Sequence, residues 1–431
     1  MPDYINPMAL SVEIRSLLQK EMGDMGVLTL KKQCLDMGIN PDNIKIGDIP
    51  RLARALARAL APMVGQDRAK AMERQILRYK FLAELGELQK TTDPNVRARR
   101  EALLFLNLAG VSKVLKEWDE AKKQYKKAAE AARKTNQPVL EAEAYRGLGH
   151  IAREQHLWEE AERWFKKAQS ISASVGDNVG LADASRGLGL VGWYTGRFEE
   201  AKKLLKEAVE IARKIKDKSL LGTALIDLGN VYNEKGNLDR AFELYREASE
   251  ILKETDNHEE LARAYNNMGD VMLQKKEWKQ AIEYFQECKK EAEKILSDMM
   301  TSWATFNMAE AYLNLGEVDK CIELTQKAIA TLKLIEDVRG LSAAYKLLGD
   351  AFVARKKWKE AQEALEEAMK YAKETRSPHY EARTLISMAN MELKRGRKKE
   401  AARYVEELKK VLKGVDAKEL VAQAEELEEK L

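Results

Sequence analysis

The sequence predicts an all-α fold, a right-handed superhelical solenoid of eight helix-turn-helix repeats over residues 98–416. A small helical bundle over residues 1–90 precedes it, and a capping helix over 417–431 closes it. Three observations carry the prediction. Small residues recur at every fortieth position in three columns without an insertion. Helix-breaking and capping residues keep the same period. The composition favours helices: 45% of residues are apolar, 33% are charged, and Gly and Pro number only 24 and 8.

Residues 1–90 lie outside the period. Helices are expected at about 8–22, 27–37, 48–61 and 66–88, separated by Gly26, by Gly38 to Asp42 and by Pro62 to Gly65. Asp48 is placed to cap the third, with Pro50 in its first turn. That helix sets Arg51, Arg54 and Arg58 against Leu52, Ala55, Leu56, Ala59 and Leu60, an amphipathic pattern that reads as the solvated stripe of a small bundle. Lys90 to Asn95 marks the boundary with the array.

The array is legible column by column. Ala121, Ala161, Ala201, Ala241, Ala281, Cys321, Ala361 and Ala401 form the first column. Ala128, Ala168, Ala208, Ala248, Cys288, Ala328 and Ala368 form the second, and Ala109, Gly149, Gly189, Gly229, Gly269, Ala309, Gly349 and Ala389 the third. Small side chains are needed where two helix axes approach to about 8–10 Å. Around those crossings, large residues are expected as core knobs. One set is Trp118, Trp158, Phe198, Leu238, Trp278, Val318 and Trp358; another is Tyr125, Phe165, Leu205, Tyr245, Phe285 and Leu365.

Asp177, Asp217, Asn257, Ser297, Asp337 and Ser377 stand before successive first helices, each with an oxygen able to accept from the free N–H groups of the first turn. Pro138 and Pro378 open their helices. Gly196, Gly236, Gly316 and Gly396 sit in the turn inside the unit, where a left-handed cap is wanted, and His156 takes the same slot. Each unit is thus two helices of about seventeen residues joined by a tight turn. After Asp416, Leu420, Ala424, Leu427 and Leu431 share one face of a solvating cap helix.

Tyr145–Gly149 (YRGLG) with Ala161, Phe165 and Ala168, and Tyr265–Gly269 (YNNMG) with Ala281 and Phe285, resemble the signature of the tetratricopeptide repeat family. Cys288 stands where that family usually has alanine. The period exceeds the family's usual repeat of about 34 residues and is similar to the extended-helix form seen in kinesin light chain and related cargo or signalling adaptors. The resemblance implies that the first helix of each unit lines a concave, partner-binding surface.

The positions flanking the third column vary from unit to unit, as a surface meeting different parts of one partner should. Asn230, Asn233, Asn266, Asn267 and Asn307 cluster in the middle of the array. Their amides offer donor and acceptor together, and the resemblance implies an asparagine ladder along a bound peptide; the alternative is that they are simply exposed or hydrogen-bond between repeats. Lys113, Arg146, Arg153 and Arg186 on early units and Asp270, Glu310 and Asp350 on later ones imply a partner segment with an acidic part on the early repeats and a basic part on the later ones. Leu190, Trp193 and Tyr194 are expected to form an apolar anchor beside Arg186. Alternatively, Asp227, Asp270 and Asp350 pair with neighbouring Arg or Lys.

Other classes find little support. The net charge is +4, from 74 basic and 70 acidic residues, too balanced for a dedicated nucleic-acid binder. No apolar run is long enough to span a bilayer and the N-terminus lacks a secretory pattern, so a cytoplasmic protein is expected. His150, His156, His258 and His379 lack ligand spacing, and no phosphate loop or nucleophile elbow occurs. No enzyme, metal or cofactor is therefore expected. Cys288 and Cys321 should be buried, leaving Cys34 as the one candidate for reactivity. The expected function is a scaffold or adaptor for a protein or peptide partner. The alternatives are a regulator whose groove ligand controls the N-terminal module, and nucleic-acid binding through the Arg51–Arg58 helix.

Overall fold

A computed structural model describes residues 4–413 and 417–431. Among them every regular element is helical, and the chain forms two compact units, Met1–Asn257 and His258–Leu431.

The first unit begins with α1 (Leu10–Asp36), α2 (Ile49–Val64) and α3 (Gln66–Leu88). Four antiparallel hairpins follow: α4 (Pro94–Val114) with α5 (Trp118–Lys134), α6 (Pro138–Glu154) with α7 (Trp158–Val175), α8 (Asn178–Tyr194) with α9 (Phe198–Ile215), and α10 (Lys218–Glu234) with α11 (Leu238–Leu252). The second unit has four more: α12 (His258–Gln274) with α13 (Trp278–Lys294), α14 (Asp298–Asn314) with α15 (Val318–Leu334), α16 (Val338–Ala354) with α17 (Trp358–Glu374), and α18 (Pro378–Lys394) with α19 (Lys398–Leu412). α20 (Lys418–Glu429) closes it, burying Leu420, Ala424 and Leu427 against Leu385, Leu408 and Leu412.

All three small-residue columns are buried, and volume complementarity explains their composition. A Cβ on Gly149 would come within 2.8 Å of the Phe165 ring, on Gly229 within 2.5 Å of Tyr245, and on Gly269 within 2.5 Å of Phe285. Where the facing position shrinks to Thr325 or Val405, the same column carries Ala309 or Ala389. Ala109 opposite Tyr125 departs from this pairing, and that ring also lies over Gly147 of α6, whose missing Cβ would sit 2.3 Å away. The expected core set Tyr125 to Leu365 is fully packed. The set Trp118 to Trp358 is only half-buried, because each member is the first residue of its helix and stands at the rim of the core.

The turn inside every hairpin has one left-handed residue at the same register position. Gly196, Gly236, Gly316 and Gly396 fill it in four hairpins, and Lys116, His156, Lys276 and Lys356 in the others. Recurrent backbone bonds close the turn, such as Leu157 N–H to Ala152 C=O at 2.8 Å and Arg197 N–H to Gly192 C=O at 2.8 Å. The side chains of Asp177, Asp217, Ser297 and Asp337 accept from the N–H three residues on. Ser377 makes no such side-chain bond; the Tyr380 N–H donates to the Ser377 backbone carbonyl at 3.2 Å. The Asn257 amide donates to the Ser219 hydroxyl at 2.7 Å.

The N-terminal region departs from expectation at three points. α1 breaks at Gly23 (φ 59°, ψ −149°), not at Gly26. Gly26 instead permits close approach, since its Cβ would meet the Leu18 carbonyl oxygen at 2.5 Å. α2 continues through Pro62 to Val64, its last turn held by the Gly65 N–H to Ala61 C=O bond. Asp48 accepts from the Lys45 N–H at 3.1 Å and does not cap α2 through its side chain. Arg51, Arg54 and Arg58 are exposed, as the stripe requires. α3 packs directly on α4, and Arg78, 5% exposed, reaches Glu117 at 2.6 Å.

No helix of the described residues is long and apolar enough to cross a membrane. Cys34 is fully buried and burial pushes its thiol up to about 11, so the expectation of reactivity there fails. Cys288 and Cys321 are buried too, raised to about 12 and about 11.

Candidate functional site

Within each unit successive first helices touch one another (α4, α6, α8, α10; α12, α14, α16, α18), and the second helices have no comparable contacts. Within each unit the first helices therefore form a wall of their own, and side chains just beyond the small-residue column face off it. The candidate residues stand on this wall, but many of the charges are already paired.

In the first unit Asp183 of α8 gathers three groups. Arg146 Nε lies 3.2 Å away, Arg186 Nη2 3.0 Å, and His150 Nε2 3.6 Å. Arg186 also donates to Asp227 Oδ2 at 2.9 Å, and Asp227 is 2% exposed. Burial alone would raise the Asp183 carboxyl, but His150, Arg186 and Arg146 outweigh it and hold the group below the usual carboxylate range. Burial likewise works against the Arg186 charge, and Asp227 and Asp183 overcome it, leaving the guanidinium more firmly protonated than usual. Burial lowers His150. Arg186 is thus a strut between α8 and α10. Reversing its charge would strand a buried carboxylate, so such a change tests the fold and not partner binding.

Arg153 pairs with the neighbouring Glu154 at 2.7 Å. Lys113 is half-buried, and burial, then Arg153, pulls its ammonium below the ordinary range. The apolar anchor is only partly assembled. Leu190 is buried at 5% exposure within the wall, whereas Tyr194, 53% exposed, stacks on Trp158 at 4.9 Å and touches Trp193 at 4.6 Å.

The asparagines divide in kind. Tyr245 donates its hydroxyl to Asn230 at 2.8 Å. Asn233 and Asn267 are half-buried on their helices. In the second unit Asn307 donates to Asn266 at 3.0 Å, and Asn266 donates to Asp270 at 3.0 Å, a relay across α14 and α12. Burial first, and Glu310 on the next rung second, push the Asp270 carboxyl up to about 7. Asp350 is neutralised by Lys346 at 2.9 Å, an attraction that raises the ammonium. Of the three aspartates weighed for pairing with a cation, Asp227 and Asp350 are paired, and Asp270 is held by an amide instead.

Two cavities open on this wall beside Trp303. One, of about 370 Å³, is lined by Arg263, Asn266, Asp270, Met300 and Asn307. The other, of about 170 Å³, is lined by Phe306, Glu310, Lys346, Tyr380 and Arg383. Trp303 walls both and donates from Nε1 to Asp337 at 3.1 Å. Trp303, Asp183 and Arg383 were not among the residues expected from the sequence. All belong to one column with Glu143 and Arg263, one turn before the variable stripe, and extending that stripe by three residues toward the helix N-terminus finds them.

Family models described as tetratricopeptide repeat match residues 140–214, 220–290, 299–374 and 340–413, and a second such model matches 186–252. No curated protein matches the chain. Several solved structures share the fold. The apo quorum sensor NprR from B. thuringiensis is 18% identical with a TM-score of 0.59, covering 82% of this chain and 99% of its own. A signal transduction ATPase with a tetratricopeptide repeat sensor from Pyrococcus horikoshii is 16% identical with a TM-score of 0.60, covering 99% of this chain and 75% of its own. A Rap protein complexed with competence and sporulation factor is 16% identical with a TM-score of 0.52, covering 88% and 99%. With the repeat models matching most of the chain, the protein belongs to the tetratricopeptide repeat family.

Proposed function

We propose that this protein is a scaffold that binds an extended segment of a partner protein along the wall of first helices. The carrying observation is the second-unit wall. There the Asn307–Asn266–Asp270 relay and two cavities separated by Trp303 place amide donors and acceptors beside slots sized for side chains. Amides satisfy a peptide backbone whatever its side chains, and the slots select among side chains. Asp270 and Glu310 suit a basic part of the guest. In the first unit Arg186 is structural and Arg146 is held by Asp183, so of the early cations Lys113 is the one left to meet an acidic group there. The similar Rap protein was solved in complex with competence and sporulation factor, which agrees with a ligand-binding use of the fold.

The test compares proteins retained by the full-length chain with those retained by Asn266→Ala/Asn307→Ala and by an outer-face control, Lys206→Ala/Glu210→Ala. Both control residues are exposed on α9. The expected result is a set of partners held by wild type and control and lost from the wall variant. Equal retention by all three chains would sink the reading.

A further inference from the structure

A further cavity opens on the first unit's wall, at the start of the array. It measures about 570 Å³ and is shared by α3, α4 and α6. Arg74 enters from α3, Lys113 from α4, and Arg146 and His150 from α6. Arg74 and Lys113 make no ion pair or hydrogen bond among the described residues. Arg146 Nη1 is buried without a hydrogen-bond partner, Asp177 Oδ2 lying 3.8 Å away. Two carboxylates line the same space. Asp183 is consumed by Arg146, Arg186 and His150, and Glu143 is exposed. The rest of the lining includes the polar Asn107 and an apolar part made of Leu77 and Phe81 from α3, Leu106, Val111 and Val114 from α4, and Tyr125.

Half-buried cations without an ion-pair partner, as Arg74 and Lys113 are, are costly, and an anion seated among them recovers that cost. Cations converging from three helices suit a group with several oxygens. The volume falls in the range of small-ligand sites, about 300–1,000 Å³. We propose that this cavity binds a small organic oxyanion, a phosphate monoester or a carboxylate on a compact apolar body, with Arg74, Lys113 and Arg146 on the oxygens and Phe81 and Leu106 against the body. The inference does not rest on the scaffold reading, because the ligand is titrated directly with no protein partner.

Gly110 supplies a clean test. It lines the cavity, and a Cβ built there meets nothing within 4 Å, so Gly110→Glu puts a carboxylate into the site without steric cost to the helix. Phenyl phosphate and benzoate are titrated calorimetrically into the full-length chain at low salt. The expected result is one saturable site, weakened at least tenfold in Arg74→Gln and in Lys113→Gln and lost in Gly110→Glu, with ligand-free melting temperatures no lower than that of wild type. The tighter probe assigns the head group as phosphate or carboxylate. Absence of saturable binding by either probe, or equal binding to wild type and Gly110→Glu, overturns the site.

Discussion

Asp270 shows how one side chain couples the wall to pH. Burial, and then the Glu310 charge, raise its carboxyl to about 7, whereas an unfolded aspartate titrates near 3.8. Between those values the folded chain holds a proton that the unfolded chain has released. Stability from this group therefore falls as pH rises from about 4 to about 7, and the loss is complete above 7. Asp270→Asn keeps the shape and removes the charge. Urea denaturation should show the variant gaining on wild type as pH rises from 5 to 8; a difference that is constant or shrinks with pH contradicts the assignment. The aspartate and the amides near it were readable from the sequence. The burial that moves its pKa was not, because it comes from α13 and α14 packing over α12.

At the scale of the element, each hairpin is specified by paired volumes. Gly269 faces Phe285 whereas Ala389 faces Val405, so in these pairs the larger ring goes with the smaller partner; Ala109 opposite Tyr125 is an exception. Gly269→Ala should cost about 1–3 kcal/mol by overpacking. Phe285→Val should cost about 1–3 kcal/mol by leaving a cavity. The double variant reproduces a pair the array already uses, so denaturation should show a combined cost well below the sum of the two. Strict additivity would refute the pairing. The small column was visible in the sequence because its period is uninterrupted. The left-handed turn position was only half visible: Lys116, Lys276 and Lys356 adopt the conformation without the glycine that announces it, because the Schellman-type bonds of the turn are made by backbone and demand no particular side chain. The Gly23 break was misplaced for a related reason. Two glycines three residues apart look alike in sequence, and only the packing of Gly26 on the Leu18 carbonyl assigns one to the bend and the other to the contact.

Across the whole molecule, a repeat array holds its stability in nearest-neighbour interfaces, so its last hairpin depends on whatever covers it. α20 covers Leu385, Leu408 and Leu412 with Leu420, Ala424 and Leu427. Leu427→Ala should cost about 2–3 kcal/mol and lower amide protection in α18, α19 and α20, while α4 to α7 exchange as in wild type. A uniform loss of protection along the chain would argue against this locality. The helical class, the register of the hairpins, most of their caps and the closing helix were all written in the order of residues, because they depend on side-chain volume and turn chemistry repeated at one spacing. Which wall charges remain available was settled in three dimensions. Arg186 meets Asp227 from forty-one residues away, and Arg78 meets Glu117 from thirty-nine. Arg74 comes from a helix outside the period altogether. Coulomb attraction and burial depend on distance in space, and no spacing along the chain encodes which side chains will have spent their charge on one another.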